Sequence, residues 1–198
     1  MKWRWILGAL LGLAVMAGLV TGCQLTRAGY ETAPYRVVSR EGLVEVRAYP
    51  ALRVVTTPKE GDDFMRLFRY ISRGNAAAEK IAMTTPVFMT GVGSAREQMA
   101  FVLPASLPNP PAPGNQAVSL GEVPAGTYAV RRFRGGTQDA GGPAATELRS
   151  WMSERQLPIG GDPVFAYFDP PWIPGFLCRN EVMIPTRWIE GQSAETAR

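Results

Sequence analysis

Apolar residues along this chain form three kinds of pattern: one unbroken run, several alternating stretches, and two stripes at helical spacing. The unbroken run lies at the start, from Trp5 to Val20. Residues 35–40 and 44–56 alternate apolar with polar, Val44, Val46 and Ala48 sharing one face, and predict strands joined at Glu41-Gly42. Phe64, Leu67, Phe68 and Ile71 then recur at i, i+3, i+4 and i+7. That spacing predicts a helix, with Asp62 or Asp63 to cap its start and Gly74-Asn75 to end it. Met65, Arg66, Arg69 and Arg73 point away from the stripe. Residues 80–90 predict a strand pair bent at Pro86, and 98–103 a further strand.

Residues 104–113 hold five prolines, which exclude a sheet interior and predict a stiff extended connector. Beyond it the order repeats. Residues 118–123 and 126–133 predict strands, and Pro143 stands where a first helical turn accepts it. Leu148, Trp151 and Met152 form a second apolar stripe, and strands follow at 162–168 and 181–185. Phe101-Val102-Leu103-Pro104 matches Val182-Met183-Ile184-Pro185 at an offset of 81 residues. The pattern reads as a duplicated strand-helix-strand unit. Neither copy can bury its apolar face alone, so the expectation is one α+β domain. It would hold a curved antiparallel sheet or open barrel, with two helices outside.

The opening run is too short for a membrane span: sixteen helical residues cover about 24 Å of a hydrocarbon core of about 30 Å. Lys2 and Arg4 precede it and small residues close it, the three parts of a secretory signal. Val20-Thr21-Gly22-Cys23 resembles the bacterial lipobox, in which cleavage precedes a cysteine whose thiol carries diacylglycerol. The expectation is therefore a signal peptide over 1–22 and a lipidated tether over 23–33. A folded domain over 34–188 and a polar tail over 189–198 complete the chain. The membrane partner is reached through the Cys23 lipid. Gln24, rather than Asp, favours the outer membrane, facing the periplasm.

Loss of Lys2 and Arg4 with the signal takes the net charge from +4 to +2, too small to argue for nucleic acid. The chain has no histidine, which excludes imidazole metal sites and serine-histidine or cysteine-histidine catalysis. With Cys23 lipidated, Cys178 is the one remaining thiol, and a buried inert role suits it. No acid-base or nucleophile constellation is visible, and the expectation is a monomer that is not an enzyme.

Three segments carry a family resemblance. The first runs from Gly74-Asn75 through Lys80-Ile81-Ala82-Met83-Thr84-Thr85-Pro86-Val87. The second is Gly126-Thr127-Tyr128-Ala129-Val130 through Phe133 and Gly135-Gly136. The third is Phe168-Asp169-Pro170-Pro171-Trp172 with Arg179-Asn180-Glu181-Val182. Together they resemble the SOUL haem-binding protein family over about residues 34–188. The resemblance implies a distorted antiparallel β-barrel built from a duplicated unit with two flanking helices. It also implies non-covalent binding of haem or another tetrapyrrole as a hydrophobic small-molecule ligand.

One branch of that family ligates haem through histidine, a mode closed to this chain. The other holds the porphyrin in an apolar groove beside the first helix, with a basic residue meeting the propionates. Carried over, that groove falls on Phe64, Phe68 and Arg69, with Met83 and Trp172 on adjoining loops. Read from periodicity alone, Phe64 and Phe68 belong to the core stripe and the arginines to a solvated face. Both readings stand at this level. So do two other functions: a module for a different hydrophobic molecule, and a structural envelope lipoprotein with no small ligand.

Overall fold

A computed structural model describes residues 29–94, 97–135, 141–170 and 173–188. The first unit holds β1 (Glu31–Thr32), β2 (Arg36–Glu41), β3 (Val44–Tyr49), β4 (Leu52–Pro58), α1 (Asp63–Ile71), β5 (Thr84–Thr85), β6 (Val87–Thr90) and β7 (Gln98–Val102). The second holds β8 (Ser119–Val123), β9 (Gly126–Phe133), α2 (Gly141–Glu154), β10 (Val164–Tyr167), a 3-10 turn (Gly175–Leu177) and β11 (Asn180–Thr186). The predicted strand over 44–56 is thus divided at Pro50-Ala51, because proline lacks the N–H that a continuous ladder needs.

Nine strands form one antiparallel sheet in the order β2-β3-β9-β11-β10-β6-β7-β4-β8. The duplication appears in that order as a pseudo-twofold between β10 and β6. Consecutive β3 and β4 do not pair; β3 pairs with β9 and β8 with β4. Each unit thus lends strands to the other, β9 beside β3 and β8 beside β4, which makes the domain indivisible. Facing positions correspond between the units: Phe101 lies opposite Val87, and Val182, its counterpart at the 81-residue offset, opposite Phe165 of the equivalent strand.

One expectation is met in part, and one boundary moves. The strand order begins at β2 and ends at β8, and among the described residues no ladder joins these edges. The expected α+β domain, a large antiparallel sheet with two helices, is present, and the described strands do not close it into a barrel. The tether expected over 23–33 also ends sooner. Glu31 and Thr32 pair in parallel with Thr84 and Thr85, and Ala33 is buried, its N–H donating to the Thr85 carbonyl at 2.8 Å. The signal peptide, Cys23 and the polar tail lie outside the described residues.

The sheet buries both faces. On one, α1 packs on β4 and β7 while α2 packs on β9 and β11. Leu67, Tyr70, Ile71, Phe101, Leu148, Met152, Phe165, Val182 and Ile184 form the core there. On the other, Tyr49, Leu52, Val54, Phe88, Val102, Tyr128, Val130 and Met183 form a second cluster. Alternation along β3 therefore places Val44 and Val46 in a buried layer, and also Glu45, Arg47 and Tyr49.

Candidate functional site

The first helix is set by what its ends bond. Asp63 accepts the Phe64 N–H at 2.7 Å and pairs with Lys59 at 2.9 Å, while Asp62 pairs with Arg69 at 2.6 Å. After the helix, buried Asn75 donates to the Tyr70 and Glu79 carbonyls and accepts from Ala77 and Glu79. A side chain at Gly74 would come 2.6 Å from the Arg69 carbonyl, so only glycine fits this close return. Gly74-Asn75 is thus a structural lock on the end of α1.

That lock fixes which face of the helix is buried. Asp63, Leu67, Tyr70 and Ile71 face the sheet. Phe64 and Phe68, placed with the core by their spacing, lie on the flank of that stripe and remain 39% and 41% exposed. Tyr70 takes the position that a symmetrical stripe would leave to Phe68. The two phenylalanine rings stack on each other, centroids 6.2 Å apart and planes 12° apart. Phe64 also meets Phe101 edge-on at 5.2 Å.

Strand registers extend this aromatic wall. Phe101 stands opposite Val87, and Val87 opposite Tyr167, so the row beneath Phe64 continues onto the central β6–β10 pair. Val87 and Tyr167 are half-buried there, between the sheet halves that the two helices cover. Met83 is half-buried against the same core. Trp172 lies outside the described residues.

Arg69 lies on the exposed side of α1, bonded to Asp62. Beside it Arg66, Tyr70, Pro113, Gly114 and Asn115 surround a depression of about 160 Å³. The proline-rich segment forms its far wall, held by the Tyr70 hydroxyl donating to the Pro111 carbonyl at 2.8 Å. A second depression, of about 200 Å³, lies between β1 and the β3–β4 junction, with Ala33, Pro50, Leu52 and Val102 in its wall. Pockets that enclose drug-sized ligands measure about 300–1,000 Å³. Neither depression reaches that size.

The opposite sheet face holds a charge network that the sequence pattern does not reveal. Arg47, fully buried, bonds Glu181 through two nitrogens at 2.6 and 3.0 Å, Glu45 at 2.6 Å and the Tyr49 hydroxyl at 3.1 Å. Its guanidinium also lies 4.1 Å from the Tyr35 ring centre. A pairing of Glu181 with Arg179 or a neighbouring-strand arginine was readable. The neighbouring-strand Arg132 stands at 3.4 Å and Arg179 at 3.9 Å, but the short partner is Arg47, two strands away. Burial raises the Glu45 carboxyl, and Arg47, Arg132 and Arg40 reverse this, leaving it below its usual range. Burial lowers Arg47, and Glu181 outweighs that, so Arg47 stays protonated.

These groups set the pH limits of stability. The lowered Glu45 contributes stability above the ordinary glutamate range, which is lost as pH falls through its folded pKa. Burial pushes Tyr49 and Tyr167 up to about 12, against about 10 in an unfolded chain. Stability is then full below about pH 10 and falls as pH rises through about 12. Urea midpoints across this range should show the alkaline loss, and Tyr167→Phe should remove part of it. A Tyr167→Phe profile identical to that of the unsubstituted protein would count against the assignment.

A protein-family model described as SOUL heme-binding protein matches residues 30–185. The chain belongs to the SOUL haem-binding family. No curated protein matches it. Among solved structures, the EcmrR C-terminal domain is similar at 13% identity and TM-score 0.53, covering 78% of this chain and 99% of that one. EcmrR in a complex with DNA gives 12% identity and TM-score 0.56, covering 94% and 70%. A hydrolase from Listeria innocua gives 8% identity and TM-score 0.53, covering 75% and 94%. At such identities the likeness is one of fold.

Within this SOUL domain, several residues that carry the resemblance have structural partners. Arg179 lies 3.9 Å over the Phe168 ring, its N–H donates to Asp169 at 2.6 Å, and Asn180 donates to the Gly135 carbonyl at 2.8 Å. Phe64 and Phe68 are different. The offset that aligns Leu67 and Ile71 with Leu148 and Met152 puts Ala145 and Arg149 at their places in α2. The repeated fold does not require aromatics there, yet α1 presents two, half-exposed and stacked.

Proposed function

We propose that this SOUL protein is a lipid-anchored envelope protein that binds haem or another tetrapyrrole non-covalently, without a histidine ligand, and is not an enzyme. The observation that carries this reading is the stacked, half-exposed Phe64–Phe68 pair. In the proposal these rings cover the apolar face of the ligand, with Val87, Tyr167 and Met83 adjoining. Arg69 meets a propionate after releasing Asp62. That release costs little, because both side chains are more than half exposed and screened by water. Anchoring through Cys23 would keep the domain near an outer-membrane surface, where such ligands partition. The ligand's iron would contribute redox and ligand-binding chemistry of its own when bound.

Without imidazole, apolar contact and charge carry the affinity. Haem and metal-free protoporphyrin are therefore expected to bind within about threefold of each other. Titration of the purified protein, followed by Soret absorbance and tryptophan quenching, measures both. Arg69→Glu should weaken each by about tenfold, since an attraction becomes a repulsion. The proposal fails if neither ligand binds below about the micromolar range. A strong preference for haem over protoporphyrin would overturn the unligated mode. A second reading, a smaller hydrophobic ligand, is favoured by the depressions of about 160 and 200 Å³. Native mass spectrometry of protein from its own host separates the two readings.

A further inference from the structure

One end of the sheet, where β9 stops and β11 begins, gathers apolar and basic groups that porphyrin binding does not use. Phe176 of the 3-10 turn and Leu43 of the β2–β3 turn are 61% and 59% exposed, the highest values among the described large apolar side chains. Neither is a loose tip. The Leu43 carbonyl accepts the Arg132 N–H at 3.1 Å, and the Phe176 carbonyl accepts from Arg134 at 3.0 Å. The Gly135 N–H donates to the Gly175 carbonyl at 3.1 Å, fastening the turn to the end of β9.

Four arginines stand at this end: Arg40 on β2, Arg132 on β9, Arg134 just past β9 and Arg179 just before β11. Arg40 and Arg132 share one oxygen of Glu45, at 2.8 and 3.1 Å. Arg132 and Arg179 share one oxygen of Glu181, at 3.4 and 3.9 Å. Arg134 stands just past the end of β9, two residues beyond Arg132. Both carboxylates are buried and already bonded by Arg47, so guanidinium groups form the outward charge. Among the described residues, Asp169 at this end accepts the Arg179 N–H, and Glu41 is paired with Arg155.

We propose that this end of the sheet docks on an anionic phospholipid surface. Phe176 and Leu43 enter the boundary between headgroups and acyl chains, while Arg40, Arg132, Arg134 and Arg179 meet headgroup phosphates. A soluble anion would use the arginines and leave both apolar side chains in water. A lipid surface supplies phosphate and hydrocarbon in adjacent layers, which matches guanidinium groups gathered at one end with two apolar tips. The docking depends on neither the porphyrin reading nor the Cys23 lipid.

The test places photoreactive benzoyl-phenylalanine at Phe176 in the full chain, reconstituted with vesicles, and measures lipid adducts by mass spectrometry. The same group at Leu120, exposed on edge strand β8, is the control. In vesicles containing phosphatidylglycerol, adducts at 176 should exceed those at 120 by about tenfold. They should fall about tenfold in phosphatidylcholine alone, and likewise with Arg134→Glu plus Arg179→Glu. Circular dichroism checks that the variant is folded. Equal yields at the two positions, or indifference to phosphatidylglycerol, overturn the proposal. Loss of adducts on adding millimolar inorganic phosphate would also overturn it, in favour of a small-anion site.

Discussion

Replacing Arg47 with methionine is expected to destabilise the protein by about 3–5 kcal/mol, because it leaves Glu181 buried and without its short partner. Glu181 is fully buried, and its other cations stand at 3.4 and 3.9 Å, too distant to replace two bonds of 2.6 and 3.0 Å. Glu45 suffers less, since Arg40 and Arg132 reach it from the solvent side at 2.8 and 3.1 Å. For a chain of this size the loss corresponds to a fall in Tm on the order of 10 °C. The double variant Arg47→Met with Glu181→Leu removes both charges and should recover most of it. Calorimetry of the single and double variants completes the cycle. Equal losses in both would show that packing of the Arg47 side chain, not its charge pairing, stabilises this face.

Truncating both exposed rings, Phe64→Ala with Phe68→Ala, should weaken porphyrin binding on the order of 100-fold while the fold survives. Each ring keeps about two fifths of its surface for a ligand to cover. Covering that area contributes about 1 kcal/mol per ring, and stacking adds about 0.5 kcal/mol or more. Together these approach 3 kcal/mol, or about two decades in Kd. Folding stability should change by only about 1–2 kcal/mol, mostly from the contact between Phe64 and Phe101. Arg149→Ala, at the equivalent place on α2, should leave binding unchanged. Unaltered affinity in the double variant would remove α1 from the site. A collapse of stability would return both rings to the core.

Much of the molecule was legible from spacing alone. Residues 126–133 read as one strand and are β9, and the pattern around Leu148 and Met152 marks α2, whose first turn holds Pro143. The match between Phe101-Val102 and Val182-Met183 announced the duplication, because equivalent strands must present equivalent faces to one core. The helical stripe was half right. Leu67 and Ile71 are buried, but a period of 3.6 defines an arc and not its centre. Tyr70, bonded to Pro111 beneath the proline-rich segment, draws that centre away from Phe64 and Phe68. Tyr70 was absent from the stripe read by spacing, which counted Phe64 and Phe68 in its place.

The sequence by itself determined the elements, their duplication, the absence of histidine and the family, since each resides in local order and composition. Alternation along a strand also named which residues share a face, but not whether that face is buried. Tertiary structure alone decided that β3 and β4 separate to pair across the two units. It alone brought Arg47 to Glu181, 134 positions apart. Such meetings depend on strand order, and the chain does not write strand order in any local pattern. For the same reason the half-exposure of Phe64 and Phe68, which spacing alone placed with the core, was decided by the packing of α1.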